Sequence, residues 1–143
     1  MTENYKKVRE VAEIYRISEG MKVPAKTCRI RLSASDGTVE YTKEESKGEA
    51  GYVAFVPKET VMPLYLYHAL CSAMPAFLAK YKSGINLKFE VLKYLEINVP
   101  TKKEQQEIVD VLEAIDEAAE KERRLIAQAK EMKKSMLRKM FTE

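Results

Sequence analysis

The 143-residue sequence is poor in the residues from which most metal and catalytic centres are built. It has one histidine, His68, and two cysteines, Cys28 and Cys71. A single histidine excludes a His-rich metal site and a centre with two catalytic histidines. Two distant cysteines exclude a zinc site made of cysteines alone and make a disulfide framework unexpected. The Gly-containing segment 47–51 lacks the spacing of a phosphate-binding loop. We therefore predict a protein that is not an enzyme and has no metal site and no cofactor.

Secretory and membrane-spanning segments are not expected either. Residues 1–13 are charged throughout and have no apolar core of a signal peptide. Residues 61–79 carry no charged side chain but include Pro63, Pro75 and His68. We interpret this run as a buried helix broken at Pro75. The expectation is a cytoplasmic protein with no membrane association.

The charge is weak and unevenly distributed. The formal net charge is +3. Residues 1–100 have 15 basic and 12 acidic side chains, whereas residues 101–143 have 10 of each. Charge alone therefore favours an ordinary solvated surface, and leaves nucleic-acid binding by the N-terminal part open.

The first 100 residues predict a small α+β domain. Alternating or β-branched runs predict strands at 27–33, 39–42, 52–56 and 95–99, with a tight turn at 35–38 and a polar loop at 43–51. Helical spacing predicts a short helix or turn within 5–15, and Pro63 suits the first turn of a second helix. We therefore predict an N-terminal domain at residues 1–100.

Residues 101–143 predict one long helix. Thr101 and Glu104 form a capping-box pattern, and no glycine or proline follows up to Phe141. Apolar residues recur every seven positions, which is typical of a coiled coil. The chain offers no second long helix to cover this seam, so we predict a homodimer. The predicted interface consists of Ile108, Val111, Leu112, Ile115, Ala119, Leu125, Ile126, Met132 and Met136.

Basic residues of the N-terminal domain fall into two clusters that could contact phosphates. One lies around the predicted 27–42 hairpin and the other around the loop at Gly84. The candidate nucleic-acid-binding residues are Lys26, Arg29, Arg31, Lys80, Lys82, Ser83, Asn86 and Lys88.

The sequence resembles the specificity (S) subunit of type I restriction-modification systems. Segments 8–14, 30–37, 52–56, 64–67 and 83–87 are similar to parts of that family's target recognition domain. The series Ile97-x-Val99-Pro100, Glu104-Gln105-Gln106-x-Ile108, Leu112 and Ile115-Asp116 resembles the start of its long helix most specifically. The ending at 133–141 fits as well.

The resemblance implies a target-recognition-type domain followed by a spacer helix. It also implies a subunit that selects the DNA target, while partner subunits catalyse the reactions. The implied partners are double-stranded DNA and the methyltransferase (modification) subunits, with the restriction subunit reached through them. A complete S subunit has two recognition domains and two long helices, and this chain has one of each. A homodimer would therefore provide the two recognition domains that a bipartite DNA target requires. The alternative is a coiled-coil adaptor or regulator that binds methyltransferase subunits without reading DNA.

Overall fold

The computed structural model describes residues 4–141 and contains a mixed α/β unit followed by a long helix. The predicted α+β class is confirmed. The strands are β1 (Tyr5–Lys7), β2 (Ala12–Arg16), β3 (Lys22–Val23), β4 (Thr27–Arg31), β5 (Glu40–Thr42), β6 (Ser46–Lys47), β7 (Tyr52–Pro57) and β8 (Glu96–Asn98). The α-helices are α1 (Val8–Val11), α2 (Pro63–Tyr81) and α3 (Lys102–Phe141), and a 3-10 helix spans Phe89–Tyr94.

The main sheet has the order β2-β7-β4-β5, with every neighbouring pair antiparallel. β7 is a central strand, as its run of apolar and β-branched residues predicts. Cys28, Ile30 and Phe55 face the core and are at most 1% exposed. Arg29 and Arg31 alternate with them on the other face. The predicted strand at 27–33 and its two faces are confirmed, although the strand ends at Arg31.

Helix α2 supplies the other wall of this core through Leu66, Leu70 and Met74, all fully buried. It begins at Pro63, where a missing N–H costs nothing because first-turn amides have no intrahelical acceptor. The predicted break at Pro75 is wrong, since α2 continues to Tyr81. Buried side chains on both sides of Pro75, Met74 and Phe77 among them, hold the helix against the core. No helix within residues 4–141 is long and apolar enough to cross a membrane.

The start of the chain differs from the prediction. The expected short helix or turn is present as the single turn α1, but Ala12–Arg16, within the same predicted segment, forms a strand paired with β7. The helical spacing of the apolar residues is therefore misleading here. The sheet edge offered by β7 decides the conformation of this segment, as tertiary context often does.

Two further loops differ in detail. β4 and β5 form the predicted hairpin, but eight residues connect them instead of a tight turn at 35–38. The predicted polar loop at 43–51 contains β6, which pairs with β3. Gly48 lies so close to the neighbouring segment that a Cβ there would be 2.1 Å from Ile17 Cγ2, so glycine is required. Ile17, Val23 and Ala54 form a second small core under this pair of strands.

The long helix begins as predicted. The Thr101 Oγ1 accepts the N–H of Glu104 at 3.2 Å, and Glu104 Oε1 accepts the N–H of Thr101 at 3.3 Å, which completes the capping box. Contacts divide the chain into two compact units, with the boundary between Val109 and Asp110. We call residues 4–109 the head unit and Asp110–Phe141 the helix unit.

Candidate nucleic-acid interface

The two arginines on the outer face of β4 lie in different environments. The Arg29 side chain is 20% exposed, its Nε donates to Glu40 on β5, and its guanidinium lies 4.3 Å from the centre of the Tyr52 ring. Strand pairing places Glu40 opposite Arg29. Arg31 is exposed, 5.9 Å from the same ring. Both arginines lie on the same face of β4, but contacts with Glu40 and Tyr52 cover Arg29, whereas Arg31 is exposed.

The loop at Gly84 is a closed turn. The N–H of Ser83 donates to the carbonyl of Asn86 at 2.9 Å, and the N–H of Asn86 donates back at 3.0 Å. Gly84 has a φ of +61°, a conformation that glycine adopts without strain. Lys82 directly precedes the turn and Lys88 follows it after the buried Leu87, so a cation lies in the sequence on each side of the turn.

Hydrogen bonds join this turn to the segment that follows β4. The Ala34 N–H donates to Asn86 Oδ1 (3.1 Å), the Ser35 N–H donates to the Ile85 carbonyl (2.8 Å), and the Leu87 N–H donates to the Leu32 carbonyl (2.8 Å). Leu32 is the residue after Arg31. The backbone that follows Arg31 is therefore adjacent to the turn flanked by Lys82 and Lys88, about 50 positions away in the sequence. We call this region, formed by Arg31, Lys82, Ser83, Asn86 and Lys88, the corner surface.

One carboxylate lies near the corner surface. The N–H of Thr38 donates to Asp36 Oδ1 at 2.9 Å, and this bond is the main reason that the pKa of the exposed Asp36 lies below its usual value. The positive charge of Arg31 lowers the same pKa by a smaller amount. Asp36 thus stays ionised at neutral pH and opposes part of the positive charge there.

Three of the eight predicted residues lie outside the corner surface: Arg29, described above, Lys26 and Lys80. Lys26 precedes β4, about 15 Å along the strand from Arg31. Lys80 lies over the Tyr81 ring at 5.4 Å, in a shallow depression between α2 and β8. In the same depression the rings of Tyr81 and Tyr94 are stacked, with centres 5.4 Å apart.

Sequence reasoning missed a second group of cations. Arg9 and Lys93 line a depression whose floor includes Phe89. Arg16 lies 5.0 Å from the Phe89 ring centre and 3.4 Å from the Glu90 carboxylate. These residues come from the two ends of the head unit, and no local pattern in the sequence indicates that the fold brings them together.

The helix unit exposes the predicted seam. Among the predicted residues, Val111, Ile115, Leu125, Ile126, Met132 and Met136 are 49–65% exposed. Ile108 differs, because it belongs to the head unit and packs partly against its core. Leu112 and Ala119 are intermediate in exposure.

Comparison with protein families matches residues 6–131 to the type I restriction modification DNA specificity domain (Methylase_S). The match spans both the head unit and most of α3. The chain belongs to this family. The resemblance carried by the segments around Pro100 and Gln105 is therefore confirmed.

Solved structures share the fold of this specificity-domain chain. The S subunit of a type I restriction-modification system from M. genitalium is 16% identical with a TM-score of 0.75, over 99% of this chain and 46% of that one. The HsdS subunit from Thermoanaerobacter tengcongensis is 16% identical with a TM-score of 0.72, over 96% and 44%. A chain from work on complex assembly and conformational transition of the type I R-M system is 15% identical with a TM-score of 0.78, over 93% and 43%.

This chain thus spans less than half the length of the structures it matches. No protein of curated function matches its sequence significantly.

Proposed function

We propose that this chain is a non-catalytic DNA-recognition subunit of a type I restriction-modification system. The observation that carries the proposal is the match to the DNA specificity domain over residues 6–131. It includes nearly all of the head unit and most of α3 in one continuous stretch. The sequence offers neither a phosphate-binding loop nor a pair of histidines, so the chemical steps are assigned to partner subunits.

The corner surface is the proposed DNA contact. Arg31, Lys82 and Lys88 supply positive charge for phosphates, while Ser83 and Asn86 supply polar groups. Arg29 then acts by holding the sheet face through Glu40 and Tyr52, since most of its side chain is already covered. Lys26 and Lys80 are proposed as outlying phosphate contacts.

The proposed protein partners are the methyltransferase subunits, with the restriction subunit bound through them, in the cytoplasm. One of the similar chains comes from work on the assembly of such a complex. The charged faces of α3 offer groups for this docking.

We propose that the chain forms a homodimer, whose two recognition domains bind the two halves of a bipartite DNA target. The chain spans 43–46% of the matched structures, so a second copy supplies a comparable missing length. Leu125 and Met132, 56% and 65% exposed, belong to an apolar seam that a second α3 would cover. A symmetric pair of recognition domains would read an inverted repeat.

The function is tested by two matched charge reversals. Lys82→Glu with Lys88→Glu removes cations from the corner surface, and Lys133→Glu with Lys134→Glu makes the same change of net charge on α3. Duplex binding is measured by fluorescence anisotropy at two salt concentrations, with type I modification subunits present. The corner variant should bind about 10- to 100-fold more weakly and with a flatter salt dependence, because fewer counterions are released. The α3 variant should bind nearly as the unmodified chain does.

Two outcomes would contradict the proposal. Loss of binding by the α3 variant alone would place the DNA contact on the helix. If the unmodified chain binds modification subunits but no duplex under these conditions, the alternative function, an adaptor that binds modification subunits without binding DNA, replaces the proposal.

A further inference from the structure

Ile85 is the most exposed large apolar side chain of the head unit, with 67% of its surface accessible. It lies at the tip of the Ser83–Asn86 turn, between Lys82 and Lys88. Exposing an aliphatic side chain at a loop tip contributes nothing to the core, because burial is the source of hydrophobic stabilisation. The turn itself does not require isoleucine, since its closing hydrogen bonds are made by backbone groups.

The position of Ile85 is fixed by the backbone on both sides. Its own carbonyl accepts the N–H of Ser35 at 2.8 Å, and the next residue, Asn86, is bound through backbone and side chain. A side chain presented in this way loses little backbone entropy when it meets a ligand, which favours binding. The tip is therefore a preorganised apolar contact.

The surroundings of Ile85 favour a nucleic acid as the ligand. Lys82 directly precedes the turn, Lys88 follows it after Leu87, and Arg31 precedes Leu32, whose carbonyl accepts the Leu87 N–H. The four-residue turn is narrower than the major groove of B-DNA, which admits an α-helix or a two-stranded β-ribbon. The apolar group that the major groove presents is the 5-methyl group of thymine.

We propose that Ile85 is a base-reading residue that contacts a thymine 5-methyl group in the major groove while the flanking cations bind phosphates. This inference rests on the proposed DNA-binding function. It adds an apolar, sequence-dependent contact to a surface whose other predicted members are polar or charged.

The first test compares Ile85→Ala with the unmodified full chain on a duplex that the unmodified chain selects from a random pool, with modification subunits present. Ile85→Ala should bind this duplex about three- to tenfold more weakly, as expected for the loss of a small buried apolar area. The salt dependence should stay unchanged, because no phosphate contact is removed. Tyr5→Ala, at another exposed apolar position (61%), is the matched control and should bind normally.

The second test removes the partner methyl group. Each thymine of the selected duplex is replaced in turn by deoxyuridine, which lacks only the 5-methyl group. At one position this change should weaken binding of the unmodified chain about two- to fivefold and leave binding of Ile85→Ala unchanged. Circular dichroism of Ile85→Ala and Ile85→Thr should give normal thermal transitions, since the side chain is exposed.

The outcomes separate the two proposals. Equal binding by Ile85→Ala and the unmodified chain, a selected site without thymine, or equal effects of deoxyuridine on both proteins would overturn the role of Ile85 alone. Failure of the unmodified chain to select any duplex would overturn DNA recognition, and this inference with it.

Discussion

The head unit and the helix unit use apolar residues in opposite ways. In the head unit, Phe55, Leu66 and Leu70 are fully buried. In the helix unit, Ile115 and Leu125 are 57% and 56% exposed. Both regions show apolar periodicity in the sequence. The difference teaches that a periodic stripe indicates a surface to be covered, and that only a partner element in the same chain makes it a core.

The largest expected effect tests whether a second copy covers the helix unit. Leu125→Asp places a carboxylate in the seam of each protomer. It should cost about 3–5 kcal/mol per copy, because an unpaired charge would be buried. Light scattering at tens of micromolar should then give a monomer, while circular dichroism at 222 nm shows whether α3 is retained.

Ala127→Asp is the control for this change. It introduces the same charge on α3, two positions along but outside the predicted seam. It should leave the dimer intact. A monomeric unmodified chain with a formed helix would contradict the homodimer.

The next prediction concerns the head core. Phe55→Ala should lower the free energy of unfolding by about 3–5 kcal/mol, since it removes a large side chain from a closed core. Urea unfolding can be followed by tyrosine fluorescence, because all eight tyrosines lie within residues 1–100 and the chain has no tryptophan. Phe141→Ala, at a position 80% exposed, is the matched control and should change this transition by less than about 0.5 kcal/mol. Similar effects of the two substitutions would invalidate the contrast between the units.

A third prediction concerns the buried Gln105, which lies in the first turn of α3 but belongs to the head unit. Its Nε2 donates to the carbonyls of Thr60 (3.0 Å) and Pro100 (2.9 Å), and its Oε1 accepts the N–H of Met62 (2.8 Å). Gln105→Met keeps the side-chain volume but leaves three polar groups without a partner. It should cost about 2–3 kcal/mol in tyrosine-detected unfolding. Gln128→Met, at an exposed position of the same helix, should be nearly neutral.

Gln105 also shows which contacts could not be predicted from the sequence. The motif around Pro100 identifies the family, and the capping box predicts the start of α3, because both signals are local. The role of Gln105 depends on Thr60 and Met62, more than 40 positions away, which the sequence alone does not bring near. The same holds for the corner surface, where Arg31 and Lys88 are predicted separately and the fold joins them through Leu32 and Leu87.

For strand β2 a local pattern is present in the sequence, but it indicates the wrong secondary structure. Its residues have helical spacing, yet Ile14 pairs with Phe55 in the sheet. The sheet edge that β7 offers outweighs the intrinsic preference of a short segment, whereas α3 has 40 residues of consistent pattern. Length and consistency therefore explain why the long helix is predicted well and the opening segment is not.

The smallest predicted effect lies within the head unit, at the residue that precedes α3. Thr101→Ala removes the hydroxyl that accepts the N–H of Glu104, and should cost about 1 kcal/mol, typical of a lost N-cap. Thr101→Ser keeps the acceptor and should retain most of that stability. Because the first turn of α3 belongs to the head unit, hydrogen exchange should accelerate at the amides of residues 103–105 and remain unchanged beyond Asp110. Equal acceleration along the whole of α3 would show that the two units open together and would remove the physical basis for treating them separately.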